Sequence, residues 1–379
     1  MNKAYAVASN IVSALGITTA ANWSAVAAGR TGIRQYEDAS LSNTPFMASK
    51  PGPDHWQMIY EQTKENASLS PFERLAFYSA KDALSNYEGD LKAAETIFIL
   101  STTKGNIELL GQEADEKLLL SHSAGLISKA LGLQATPIVI SHACVSGVIA
   151  LDYALRLLQS GRYKNVIVTG CDRFSRFVLS GFQSFHAISK EACRPFDADR
   201  KGITLGEAAA TIVLTSEPQQ RPMARLLSAA TSNDANHISG PSRTGEELAM
   251  TIKRAMAAAG LEAGDIDMIS AHGTATVYND EMEAKAFGLS GLTNSPVHSF
   301  KGYTGHTLGA AGVMESAISI EAIGRQLLIP SPGYASSGVS EPLNVTTEMQ
   351  ATEINHVLKT ASGFGGCNAV AVWGRPTES

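Results

Sequence analysis

Cys144 lies in PIVISHACVSGVIALDYALRLLQSG, where a β-branched apolar run stops and an amphipathic helix begins. The thiolate is the nucleophilic form of cysteine, and an unperturbed thiol, with a pKa of ~8.5, is mostly protonated at neutral pH. The free N–H groups and positive end of a helix N-terminus favour the anion, so this junction suits a reactive thiol. Ala143, Ser146 and Gly147 leave room beside it for a substrate carbonyl. A cysteine at a strand end also serves as a small buried hydrophobe, and the residue alone supports both readings. His272, after the run MISA, and His306, closing SFKGYTGH, stand at two further strand ends. Either histidine alone could be a satisfied structural group. Their equivalent placement, in a chain whose remaining strand end carries a cysteine, favours catalysis, and Gly273, Gly302 and Gly305 let backbone approach a bound molecule.

The elements that must position these residues occur twice. In the first half ETIFILST leads to TKGN, PIVISHAC leads into a helix, and KNVIVTGCD and AAATIVLTSE supply two more strands. In the second half DIDMISAHGTAT is followed by PVHSFKGYTG, the helix HTLGAAGVMESAISIEAIG, and the strands HVLKTASGFGG and NAVAVWG. Strands alternating with helices imply mainly parallel sheets covered by helices. The junction falls at SEPQQRP, which divides the chain into halves of residues 1–216 and 222–379. Residues 30–75, with several Pro, Ser and Asn, read as an irregular insertion or cap, and Arg173 to Gly206 as an insertion between two strands. The turn carrying Cys144 then corresponds to the turn carrying Lys301 to His306, and two helix N-termini face one shared site. Val148, Leu151, Ala154, Leu155 and Leu158 make the apolar face of one of these helices, and Val313, Ala317, Ile320 and Ile323 that of the other. Gly309, Ala310, Ala311 and Gly312 open the second with little bulk, which predicts close packing or a close ligand.

With 44% hydrophobic and 17% charged residues, the 379-residue chain can bury a large core. Its four cysteines lack the spacing of a disulfide framework or a zinc site, which fits a reducing, cytoplasmic setting and no metal. The N-terminal run MNKAYAVASNIVSALG reads as a first strand, and no segment is long and apolar enough to span a membrane. A net charge of −6 without a basic cluster argues against nucleic-acid binding. TKGN lacks the spacing of a phosphate-binding loop.

Five segments in order resemble the motifs of the β-ketoacyl synthases, decarboxylating condensing enzymes of the thiolase fold, in their elongating Cys-His-His branch. ACVSG is similar to the nucleophile motif, RPFDADRKGITLGEAAA to PFDxxRDGxxxGEGA, HGTATVYNDEME to HGTxTxxxDxxE, KGYTGHTLGAAGVMES to KxxxGHxxGAAG, and GFGGCNA to GFGGTNA. The resemblance implies a duplicated α/β fold in five αβαβα layers. It implies a ping-pong reaction in which Cys144 takes an acyl chain from a phosphopantetheine thioester and a malonyl thioester then loses carbon dioxide. His272 and His306 would stabilise the enolate, and the N–H groups of Cys144 and Phe364 the oxyanion of the attacked carbonyl. Lys301 would give electrostatic or structural support, held by Glu283, with Asp280 in the same supporting group. Thr274, Thr276 and the loop at Gly365 would contact the pantetheine arm, and Phe364 would gate the cysteine. No resident cofactor is implied, because phosphopantetheine arrives on the acyl carrier protein. His142, Cys171, Cys193 and Cys367 are read as structural.

The sequence departs from the family pattern at Ser362, where relatives often carry phenylalanine, and at Lys201, Ala208 and Cys367; the span from Lys104 to Cys144 is also short. These differences imply a specialised synthase, in polyene or polyketide assembly, over a housekeeping elongase. A chain-length-setting partner subunit is the alternative, and intact Cys144 argues against it. A thiolase would present a second catalytic cysteine, but Cys367 matches a ketosynthase threonine; an initiating synthase would pair His with Asn. The expected partners are an acidic acyl carrier protein, with Arg194, Arg200 and Lys201 as candidate contacts, and a second subunit in a homodimer or heterodimer.

Overall fold

The computed structural model describes residues 2–89, 94–112, 115–235 and 240–376. Five strands of the first half are β1 (Ala4–Val12), β2 (Thr96–Ser101), β3 (Ile138–Ile140), β4 (Asn165–Asp172) and β5 (Ala208–Thr215). Five of the second are β6 (Ala224–Asn233), β7 (Met268–Ser270), β8 (Pro296–His298), β9 (His356–Gly363) and β10 (Cys367–Gly374). The spatial order is β3-β2-β4-β5-β1 in one half and β8-β7-β9-β10-β6 in the other, so corresponding strands hold corresponding places. The halves meet where Ala4–Ala6 of β1 pair antiparallel with Ala224–Leu226 of β6.

Each half is mixed and not mainly parallel. β3, β2 and β4 run parallel, as do β8, β7 and β9, but β5 and β1, like β10 and β6, are antiparallel to their neighbours. β9 and β10 form a hairpin whose turn holds Gly365 at φ +89° and Gly366 at φ +74°, so the chain reverses with no crossover helix. Residues 30–75 are also more regular than their composition suggests. Ile33–Tyr36 and Phe46–Ser49 form a small sheet with Leu205–Gly206, and a helix spans Pro53–Gln62.

Helices α1 (Pro71–Ser85) and α2 (Leu120–Ala130) cover the outer face of the first half. The central layer is α3 (Ser146–Gln159) with, later in the chain, Ala311–Arg325; α4 (Arg176–Ser184) lies in the insertion after β4. Helices α5 (Glu246–Ala259) and α6 (Val277–Leu289) cover the outer face of the second half, and Ala311–Arg325 is α7. This gives the five layers. Strands β4 and β5 are buried along their whole length because helices cover both faces, which accounts for their unbroken apolar runs.

The two central helices cross at glycines. A Cβ on Gly312 would lie 2.5 Å from the Val148 nitrogen, and one on Gly147 would lie 2.8 Å from the Val313 nitrogen. The low bulk at the start of α7 therefore serves close helix packing. That contact brings the start of α3, with Cys144, beside the start of α7, with His306.

Candidate active site

The nucleophile turn is built from its own short residues. Ser146 accepts a hydrogen bond from the His142 N–H at 2.7 Å and donates to the Ala143 carbonyl at 2.6 Å. This clamp holds Ala143 at φ +46°, a conformation costly for a residue with a Cβ, and presents Cys144 at the entry to α3. Gly363 at the end of β9 runs alongside, where a Cβ would sit 3.1 Å from the Cys144 nitrogen. Burial pushes the Cys144 thiol up to about 12; the charges of Lys301 and Lys104 and the Phe364 N–H oppose that push, and Asp172 adds to it.

His272 follows β7 and His306 follows the short helical turn Lys301–Thr304 after β8. Their rings meet edge to face with centroids 5.1 Å apart. Both are buried, and burial, followed by the positive charge of Lys301, holds each imidazole well below its ordinary pKa. Each is neutral at physiological pH and has one ring N–H to donate. Neither ring nitrogen of His306 has a hydrogen-bond partner among the described residues.

Glu283 does not pair with Lys301, contrary to the expectation from sequence. Its carboxylate accepts from the N–H groups of His272 at 2.8 Å and Gly273 at 2.6 Å, from the Thr360 hydroxyl at 2.8 Å and from Asn279 at 3.0 Å. It therefore fixes the backbone that carries His272. Lys301 instead pairs with Glu315 of α7 at 2.8 Å and donates to the His272 carbonyl. Lys359 of β9 pairs with the other oxygen of the same carboxylate. All three groups are buried, which requires this mutual compensation. Burial pushes Glu315 up, but the two lysines outweigh it and hold the carboxyl below its ordinary pKa; burial lowers Lys359 while Glu315 resists.

Neither Glu315 nor Lys359 was singled out from sequence. The available signal was a single acid in the apolar run GVMESAISI and a single lysine in a buried strand, since such charges need partners. Asp280 accepts from the N–H groups of Thr274 at 3.0 Å and Phe196 at 2.7 Å. Burial raises it to about 7.

A cavity of about 550 Å³ is lined by Cys144, His272, His306, Thr274, Thr276 and Phe364, among others. The two threonine hydroxyls are 2.9 Å apart. A smaller cavity of about 210 Å³ shares Cys144 and the Phe182–Phe185–Phe364 cluster with the larger one, but not its histidines or threonines. Phe364 stacks on Phe182 with ring centroids 5.6 Å apart and lies against Phe185 at 5.4 Å. Gly365 lines neither cavity and serves the hairpin turn beyond Phe364.

Of the three basic residues expected to face a carrier, Arg200 is unsuited. Its side chain is 5% exposed, bonds the carbonyls of Asp197 and Gly338, and lies 3.9 Å from Asp280. Lys201 lines the larger cavity but pairs with Glu191 at 2.7 Å, and Arg194 approaches the same carboxylate at 3.9 Å. His142 places Nε2 2.6 Å from the Cys367 sulfur, and Cys193 donates to the Lys301 carbonyl at 3.1 Å. All four cysteines are free. Among the described residues no cluster of His, Cys, Asp and Glu could hold a metal ion, and no helix is long and apolar enough to cross a membrane.

Residues 6–220 match the family model described as "Beta-ketoacyl synthase, N-terminal domain", and residues 223–335 match "Beta-ketoacyl synthase, C-terminal domain". The chain is 28% identical over 403 residues to the 3-oxoacyl-[acyl-carrier-protein] synthase 2 of Vibrio cholerae serotype O1, covering 96% of this chain and 97% of the relative. It is 27% identical over 423 residues to the 3-oxoacyl-[acyl-carrier-protein] synthase 2 of Rhizobium meliloti, covering 100% of both. The solved structure titled "The ishigamide ketosynthase/chain length factor" superposes with a TM-score of 0.88 at 25% identity, covering 99% of this chain and 100% of the other.

Proposed function

The chain belongs to the β-ketoacyl synthase family of acyltransferase-type condensing enzymes, and we propose that it is an elongating β-ketoacyl-acyl-carrier-protein synthase whose residues divide the work as follows. The acyl thioester enters through the larger cavity, where Thr274 and Thr276 receive the phosphopantetheine arm. The sulfur of Cys144 gives up its proton and attacks the thioester carbonyl. The N–H groups of Cys144 and Phe364 hold the resulting oxyanion, and collapse leaves the chain on Cys144 and expels the pantetheine sulfur, which takes up the proton that Cys144 released. No resident cofactor is needed, since the pantetheine thiol comes and goes with the carrier.

Malonyl thioester then loses carbon dioxide. Electrons from the breaking C–C bond build up on the thioester oxygen, where the ring N–H groups of His272 and His306 stabilise them. The carbanion attacks the acyl carbonyl on Cys144 and forms the new C–C bond, and the tetrahedral adduct then collapses with loss of the Cys144 thiolate, which takes up a proton from solvent to restore the thiol. Removal of one oxyanion-type donor typically costs roughly 2.7–4 kcal/mol. Lys301 holds the His272 carbonyl, Glu283 its N–H, and Asp280 the N–H of Thr274, so these three are positioning residues. One observation carries the reading: two buried imidazoles kept neutral, 5.1 Å apart, on the wall of a cavity that ends at a free cysteine.

A specialised polyene or polyketide pathway is supported by the likeness to the ishigamide ketosynthase/chain length factor and by Ser362, a small residue lining the cavity where the family pattern often has phenylalanine. Partners are an acyl carrier protein and a second subunit, identical or a sister chain. The outer edge of β3 supports the latter, since Ile138, Val139 and Ile140 are only half-buried there at the end of the sheet. We place the protein in the cytoplasm, with halves of residues 1–216 and 222–379. The test is intact mass after incubation with acyl carrier protein thioesters, followed by malonyl carrier protein. Acylation of the native protein and not of Cys144→Ala, then a product two carbons longer, is expected; acylation elsewhere, or none with the protein folded, refutes the assignment.

A further inference from the structure

The smaller cavity beside Cys144 is walled by Phe177, Val178, Phe182 and Leu308, and its polar side chains other than Cys144 are Thr103 and Lys104. Lys104 belongs to TKGN, the segment that fits no phosphate loop and takes no part in the condensation described above. It follows β2, the counterpart in the first half of β7, whose end carries His272. The loop is fixed: the buried Asp172 carboxylate accepts from the Thr103 N–H at 2.9 Å, the Lys104 N–H at 3.3 Å, the Thr102 hydroxyl at 2.9 Å and the Gly309 N–H at 2.7 Å. This ties Lys104 to the start of α7 and to the cavity.

The Lys104 side chain is exposed at the mouth of the cavity, so its ammonium is held by water with little from the protein. Its hydrogen bond goes to the adjacent Thr103 carbonyl at 3.4 Å, and it forms no ion pair among the described residues. Its charge reaches the nucleophile, since it opposes the upward push on the Cys144 thiol. A hydrocarbon chain filling the cavity would cost this cation part of its hydration and return nothing, whereas a carboxylate returns a charge-assisted hydrogen bond.

We propose that Lys104 selects acyl groups with a carboxylate at the end remote from the thioester, so that the chain carried on Cys144 is a short carboxyacyl group. The inference rests on the assignment of Cys144 as the acylated nucleophile. The cavity, at about 210 Å³, is less than half the size of the larger one, which favours a short chain such as a glutaryl or adipoyl group.

The test compares rates of Cys144 acylation from adipoyl and heptanoyl carrier protein by intact mass, with the native protein, Lys104→Met and Lys104→Arg. The native protein should prefer adipoyl. In Lys104→Met the adipoyl-to-heptanoyl ratio of kcat/KM should fall by roughly 10- to 100-fold, the range for a hydrogen bond between charged groups. Lys104→Arg should keep the ratio within about threefold of native, because the charge remains. A ratio unmoved in Lys104→Met overturns the inference, including the case where both substrates slow equally, which would assign Lys104 to tuning of the thiol. Acylation of Cys144 by neither substrate, while another acyl carrier protein thioester still acylates it, or by both with an unmoved ratio, overturns this inference alone; acylation of Cys144 by no carrier thioester overturns the synthase reading and this inference with it.

Discussion

Replacing Glu315 by Gln removes the charge that two buried lysines share. The carboxylate sits between Lys301, at 2.8 Å, and Lys359 on its other oxygen, with all three groups buried. Gln fills the same volume, so the change isolates charge from packing. Breaking a buried pair by removing one partner costs about 3–5 kcal/mol, because the remaining charge is left uncompensated. At about 2.1 cal/mol/K of unfolding entropy per residue, a 379-residue chain loses roughly 1.3 °C per kcal/mol, so Tm should fall by roughly 4–6 °C.

The pH dependence supplies a sharper check. Burial already lowers Lys359 and Glu315 opposes it, so removing the carboxylate lowers Lys359 further. A lysine whose folded pKa lies below its unfolded value of ~10.4 binds more protons when unfolded, and stability then rises with pH between the two values. The deficit of Glu315→Gln relative to native should therefore be largest near pH 7 and shrink toward pH 9.5. Thermal melts of both proteins across that range give the answer. A Tm loss below about 2 °C at pH 7, or a deficit that does not change with pH, would refute the compensated triad.

Three further outcomes follow from the same geometry. Because burial pushes the Cys144 thiol to about 12, its alkylation by iodoacetamide should rise about tenfold per pH unit from pH 7 to 9; a plateau below pH 8 would mean that a stable thiolate already exists. Gly312→Ala places a Cβ 2.5 Å from the Val148 nitrogen and should destabilise by about 1–3 kcal/mol or more in chemical denaturation. Gly125→Ala in α2, with nothing within 4 Å, should cost nothing, and equal effects would argue against the helix crossing. Glu283→Ala frees the backbone of His272 and Gly273 and should slow malonyl decarboxylation by about 100-fold, the scale of a small misplacement. Single-turnover acylation of Cys144 should change far less, and an equal loss in both steps would mean that Glu283 supports the whole site.

The amino-acid sequence by itself determined the repeated strand and helix order, the apolar faces of α3 and α7, and the strand ends near which Cys144 and His272 stand, whereas His306 stands beyond a short helical turn after β8. Hydrophobic periodicity and glycine placement are local properties, and each of these features is local. The direction of strands was decided by tertiary structure, since a buried strand has the same composition whether its neighbour runs parallel or antiparallel. Only the Gly365–Gly366 turn carried a local sign of the β9–β10 hairpin. Partnership among charges was also tertiary. Glu283, 18 residues before Lys301 in the chain, turned to the backbone of His272, while Glu315 and Lys359 met Lys301 because α7, β9 and the turn after β8 converge there. Spacing along the chain fixes which residues share a face of one element. Which carboxylate reaches which lysine depends on how elements pack, and burial then makes that pairing obligatory.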